Sequence, residues 1–350
     1  MRQVRGEMIQ LARESRGLTQ SQLSKNTSIS QASISKFERG EQDVTDEALA
    51  RIAKVLDYPP SFFAKDIVLR GLGVSGVFHR KRLSISIRVL KRIQADFSIR
   101  ISEIVSLLHS VEIRCTYRFH HYDIGEYGNV EQIAELVRAQ WKLPLGPVKS
   151  VIGAIESAGG IVFKYDLETR KLDAQSHWVI ETPPVFFVNR QIPTDRMRFT
   201  LAHEIGHIVM HEEYPTPNME EEANHFASAF LMPKDEILQD LVPFSLERAV
   251  GLKRKWKVSI AAIIMRAFDL GVINYSQKRR YFTQLGALGY RTEEPIPLPD
   301  EEPCLIRKLI ETCQRELGFR VKDFCQLLSI SEKDFRTRYL GMPPLRIVQF

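Results

Sequence analysis

Apolar positions recur at helical spacing along most of this chain. Met8, Ile9, Leu11 and Ala12 mark a first helix that ends near Arg16-Gly17. Thr19 and Gln22 make a capping-box start for a second helix, reaching about Thr27. Ser28-Ile-Ser30 is a short turn, Gln31 to Arg39 a third helix stopped by Gly40, and Thr45 to Leu56 a capped fourth. Leu18, Leu23, Ile29, Ile34, Phe37, Leu49, Ile52 and Leu56 are the expected core. Two short helices joined by a tight turn, the second polar on its outer face, describe a helix-turn-helix. After a glycine-rich break at Arg70–Gly76, a long helical stretch runs to about His109 with Ile85, Val89, Ile93, Phe97, Ile101, Ile104 and Leu108 in phase. Core packing is its expected role; pairing with a twin or covering the next domain are alternatives.

The pattern then changes. Helices are expected over 129–143 and 148–158, followed by three period-two runs, 159–165, 176–181 and 184–189, that read as strands. Two further helices follow, around 198–211 and 219–233. Helices, a small sheet and more helices give α+β order. An acidic, Pro-rich segment, Glu293–Pro303, precedes helices over Cys304–Leu317, Val321–Leu328 and Ser331–Leu340. The predicted fold class is therefore multidomain: an all-α helix-turn-helix domain (1–64), a linker and long helical segment (65–119), an α+β domain (120–290) and a small helical C-terminal domain after a Pro-rich linker (291–350).

Composition changes this picture little: 44% hydrophobic and 26% charged residues are ordinary for a soluble protein. The N-terminus lacks the apolar stretch of a signal peptide, and the most apolar window, Val258 to Leu270, is broken by Arg266 and Asp269, so no membrane partner is expected. The four cysteines form no C-x-x-C pair, which fits packing in a reducing cytoplasm. Charge is more telling. Residues 121–247 hold 10 basic and 20 acidic side chains, while residues 248–291 hold 10 basic and 1 acidic. Basic blocks such as Lys253–Lys257 and Gln277–Arg280 could meet phosphate or an acidic partner, although a solvated helix face explains each block equally well.

The acidic stretch holds the most informative motif, His203-Glu204-Ile205-Gly206-His207. Histidines four residues apart share a helix face, about 6 Å apart along the axis, so both imidazoles can grip one Zn²⁺. Glu204 is placed to take a proton from water at the metal. A third ligand should come from the next helix, which opens with Glu220, Glu221 and Glu222, giving a His₂Glu set. Glu222 is the choice, being in phase with His225, Phe226 and Ala229 on a face that could pack on the first helix. Another carboxylate, or His211 if the helix bends, remains open. His177, just before a strand, is a possible oxyanion helper, with a surface histidine as the alternative. His225 would pack or support the ligands.

Two resemblances sharpen these readings. Leu18-Thr-Gln-Ser-Gln-Leu23 and Ile29 to Gly40 resemble the Cro/C1-type (XRE) repressor family over about 55 residues, with Ser28 where the family commonly has Gly. The resemblance implies that Gln31, Ala32, Ser35 and Lys36 face the major groove and that Gln20 and Ser33 meet phosphates. Residues 1–64 hold 9 basic and 8 acidic side chains, so one copy would bind weakly and a homodimer on a two-part operator is expected. Trp141 to Pro147, Phe187-Val-Asn189, Arg196 to His207 and Glu221 to Pro233 resemble the ImmA/IrrE-type zinc metallopeptidases from about 120 to 275. That family implies a zincin-like fold and cleavage of Cro/C1-like repressors. It also implies His203 and His207 as zinc ligands, Glu204 as base and Glu222 as third ligand.

The expectation is a cytoplasmic regulator that binds double-stranded DNA and cuts a repressor or antitoxin. Two alternatives stand beside it: a regulator whose zinc domain senses a ligand or metal and cuts nothing, and self-cleavage near Gly71–Gly76.

Overall fold

In the computed structural model, residues 4–67, 86–109, 116–167, 172–178, 182–211 and 216–341 are described. The chain opens with four helices, α1 (Gly6–Ser15), α2 (Gln20–Thr27), α3 (Gln31–Glu38) and α4 (Asp46–Leu56), and a 3₁₀ turn over Pro60–Ala64. Their ends follow from local chemistry. The Thr19–Gln22 capping box starts α2, Ser30 caps α3 and Thr45 caps α4. Ser28 takes the left-handed backbone at φ 56°, so serine does here what glycine does at lower cost. Gly6 cannot be replaced cheaply: a Cβ there would lie 2.1 Å from the Phe37 carbonyl oxygen. Leu23, Ile34, Phe37, Ile52 and Leu56 are buried as expected, while Leu18, Ile29 and Leu49 pack at the margin. Sequence reading missed the buried pair Arg13–Glu38, 2.6 Å apart, which ties α1 to α3.

The long helix, α5, spans Ile87–Leu108 and is capped by Ser86. Residues 68–85, including the expected Gly-rich break and Ile85, lie outside the described residues. Ala95 and Ile99 of α5 join the core of the first four helices, so core packing is its role.

A second compact unit, to which residues 114–303 belong, follows. It holds α6 (Ile124–Tyr127), α7 (Val130–Gln140), α8 (Val151–Ser157), β1 (Ile161–Tyr165), β2 (Ala174–His177), β3 (Val185–Asn189), α9 (Thr194–Met210), α10 (Met219–Leu231), α11 (Lys234–Leu241), α12 (Leu246–Trp256), α13 (Ile260–Asp269) and α14 (Tyr275–Ala287). The sheet order is β1-β3-β2, with β1 parallel and β2 antiparallel to β3. β3, in the centre, is buried throughout, as an inner strand covered on both faces must be. The strand expected over 176–181 starts earlier, at Ala174, and residues 179–181 are outside the described set. One apolar cluster, from Ile133 and Trp141 through Phe186 to Leu201, Phe226, Phe230 and Ile263, fills this α+β unit.

The chain ends in α15 (Leu305–Leu317), α16 (Val321–Leu328) and α17 (Glu332–Tyr339). The sequence suggested a separate C-terminal domain from 291 and a boundary at 64. The structure instead gathers residues 1–72, 83–113 and 304–350 into one unit, and residues 291–303 stay with the α+β unit. The reason is a set of buried charges. Arg338 of α17 lies 2.9 Å from Glu103 of α5, Tyr339 also donates to Glu103, and Arg16, the residue that ends α1, reaches Asp334 at 2.7 Å. Phe324 and Phe335 stack 5.1 Å apart beneath them. Among the described residues Cys313 and Cys325 are free thiols; Cys115 lies outside the described residues. No described helix is long and apolar enough to cross a membrane.

Leaving one partner of a buried ion pair alone costs about 3–5 kcal/mol. Arg338→Met should therefore lower stability by about that amount in urea unfolding, and adding Glu103→Leu should recover much of it. A double variant no better than the single would show that the pair does not anchor α17.

Candidate metal centre

The sequence places the motif on α9, where His203, Glu204 and His207 are all buried. α10 crosses α9 at Gly206. A methyl added to Gly206 would sit 3.2 Å from three side-chain atoms of Phe226, so the glycine of the motif lets the two helices close. The crossing brings the acidic first turn of α10 over the histidines. His203 Nε2 and His207 Nε2 are 2.9 Å apart. Glu220 completes the set, with Oε1 3.4 Å from His207 Nε2 and Oε2 3.8 Å from His203 Nε2. Zinc–nitrogen bonds of about 2.0–2.1 Å in a tetrahedron require ligand atoms roughly 3.3 Å apart, and these three distances bracket that edge.

Glu222, the expected third ligand, is placed differently. Glu222 Oε2 lies 2.9 Å from His211 Nε2 and accepts from Thr216 Oγ at 2.5 Å. Glu222 lies one turn before Phe226, and while Phe226 packs on Gly206, Glu222 meets the end of α9 at His211. Glu220, Asn224 and Ser228, spaced by four, line the open cleft instead. His211, the rival ligand, turns Nδ1 to His207 Nδ1 at 3.0 Å and does not join the set. Glu221 is exposed, and His225 pairs with Glu131 at 3.1 Å rather than supporting a ligand.

The chemistry of the donors fits a zinc ion. His203 Nδ1 is 3.0 Å from Asn224 Oδ1, an acceptor that leaves the Nε2 lone pair facing the site. Burial, aided by His207, pushes the His203 imidazole down to about 4, so it is neutral near pH 7, as a ligand must be. Burial and His207 likewise push His211 to about 4. Glu204 Oε2 accepts from Ser176 Oγ at 2.5 Å. Sequence reading missed Ser176 and Asn224. The spacing of Asn224 from Glu220 was a usable signal; that of Ser176, set by tertiary packing, was not.

His177 is not brought to the site. Alternation along β2 places Ser176 and Ala174 on the face toward Glu204 and the cleft and turns His177 to the other. In the first unit, Gln31, Ala32 and Lys36 are exposed on α3. Gln31 accepts from Ser21 Oγ at 2.9 Å, Ser33 bonds Ser30, and Ser35 accepts from Arg39 at 3.0 Å. Gln20 is half-buried and donates to Glu38 at 2.8 Å.

The low folded value of His203 sets a sign. The unfolded value lies near 6.5, so the benefit of a neutral His203 is complete above pH 6.5 and is lost as the pH falls toward 4, up to about 3 kcal/mol. Urea unfolding of the metal-free protein should show this loss between pH 6.5 and 4 together with that of His211, and His203→Gln should remove the His203 share and make the fall shallower. An unchanged pH profile in the variant would contradict the assignment.

Residues 9–63 match the family model described as helix-turn-helix, and residues 156–268, which include α9 and α10, match the peptidase family M78 model described as an IrrE N-terminal-like domain. No curated protein matches the chain with significance. The chain thus joins an XRE-type helix-turn-helix domain to an IrrE-like M78 peptidase domain.

Proposed function

We propose that this protein is a DNA-binding regulator carrying a zinc-dependent endopeptidase, with a repressor or antitoxin as its protein substrate. The observation that carries the peptidase reading is the convergence of His203, His207 and Glu220 beside a buried, oriented Glu204. A zinc ion held by those three residues would polarise the scissile carbonyl and acidify a water. Glu204 takes a proton from the attacking water and passes it to the leaving amine, a role worth roughly 10²–10⁴-fold in rate. The Ser176 hydroxyl holds the Glu204 carboxylate in place for that transfer. The cleft lined by His203 and Glu204 is also lined by Ser228 and Met265, which supports a peptide as the substrate. A site that only senses metal has no use for an oriented carboxylate base, which favours cleavage over sensing.

DNA recognition rests on α3. Gln31 and Lys36 stand free of the core for base edges, and Ala32 offers a methyl contact. The weak charge of residues 1–64 favours a homodimer on a two-part operator.

Elemental analysis should find about one zinc per chain, lost in His203→Ala and in Glu220→Gln. Glu204→Gln should keep the metal and lose cleavage of a repressor or antitoxin substrate by at least about 100-fold. Zinc retained in full by Glu220→Gln would remove Glu220 from the ligand set. On a duplex selected from a random pool, Gln31→Ala should weaken specific binding by about 1–3 kcal/mol, read by fluorescence anisotropy. Equal affinity for selected and random duplexes would refute base reading by α3.

A further inference from the structure

His211 and Glu222 take no part in the ligand set, yet they form a continuous hydrogen-bonded chain to it. Glu222 Oε2 is 2.9 Å from His211 Nε2, and His211 Nδ1 is 3.0 Å from His207 Nδ1. The far nitrogen of His207, Nε2, faces His203 and Glu220. We infer that Glu222 and His211 are positioning residues that fix the tautomer of His207, an inference that rests on the zinc site proposed above.

The direction of the chain follows from donor and acceptor capacity. An ionised carboxylate only accepts, so His211 carries its hydrogen on Nε2 and donates to Glu222. A neutral His211 then has its lone pair on Nδ1, where it accepts from His207 Nδ1–H. His207 Nε2 is left without a hydrogen and turns a bare lone pair to the site. The opposite tautomer of His207 would aim an N–H at the metal. It would also set two lone pairs against each other in the core. The His211 ring is fully buried, so water cannot substitute for Glu222 or His207. Thr216 Oγ, donating to the same Glu222 oxygen at 2.5 Å, holds the carboxylate at the end of the chain. His203 uses a shorter device of the same kind, with Asn224 Oδ1 as the acceptor. α10 thereby contributes Glu220 as a ligand and Glu222 and Asn224 as the acceptors that orient the two histidines.

The test uses the full-length protein labelled with ¹⁵N-histidine, with the His207 signals assigned by loss in His207→Gln. In the metal-free wild type, imidazole ¹⁵N shifts should show His207 as a single tautomer with hydrogen on Nδ1. Glu222→Ala and His211→Phe should give mixed or reversed tautomers and weaken zinc binding by about 10–100-fold in competition with a chelator. His211→Asn should restore much of the affinity, because its amide oxygen can accept from His207 Nδ1–H as Asn224 does for His203. Should His211→Phe fail to fold, Glu222→Ala, at a partly exposed position, still decides. An unchanged His207 tautomer and unchanged zinc affinity in Glu222→Ala would overturn the relay. A wild type that binds no zinc would overturn the function proposed above, and the His207 tautomer would still decide the relay.

Discussion

The crossing of α10 over α9 at Gly206 is the constraint on which the candidate site depends. Metal ligands from two helices must meet within a few ångströms, and side chains at the contact normally hold helix axes 8–10 Å apart. Removing one side chain, at the position between Glu204 and His207, allows Phe226 to pack directly on the backbone of α9. What α10 contributes to the site then follows from which of its residues lie on either side of that contact. Glu220 and Asn224 fall on the cleft side, and Glu222 falls toward the end of α9.

The same arrangement explains how much the sequence disclosed. The histidine pair and the base were legible because their geometry is set within one helix turn, and helical spacing is a local property. The third ligand was legible as a choice among three neighbouring carboxylates. Their order in the sequence does not say where the second helix crosses the first, and a shift of two residues turns a side chain to another face. Glu222 lies against His211 at the end of α9, whereas Glu220 lies in the cleft beside the histidine pair. Ser176 and His177 show the strand version of this limit, since a one-residue difference exchanges the two faces of β2.

The fold shows a parallel split. Each helix of the N-terminal module was visible from caps and apolar spacing, because Thr19, Ser30 and Thr45 act within three residues of themselves. That α17 packs on α5 was not visible. Arg338 and Glu103 are 235 residues apart, and nothing in either neighbourhood marks one as the partner of the other. Buried charges such as these contribute less net stability than apolar contacts of equal size, but they penalise wrong packing heavily, which selects one seat for the C-terminal helices.

That seat gives the chain an unusual topology. The first unit is built from both ends of the polypeptide, and the peptidase-like unit is an insertion between them. A single break in the Gly71–Gly76 segment would sever the first four helices covalently without freeing them: α5, through Ala95 and Ile99, and Asp334 of α17, through Arg16, would still hold them. Liberating them would also take the parting of α5 from their shared core and of Arg16 from Asp334. For the same reason a fragment ending near residue 64 would expose surfaces of α1 that α5 and α17 cover in the intact molecule.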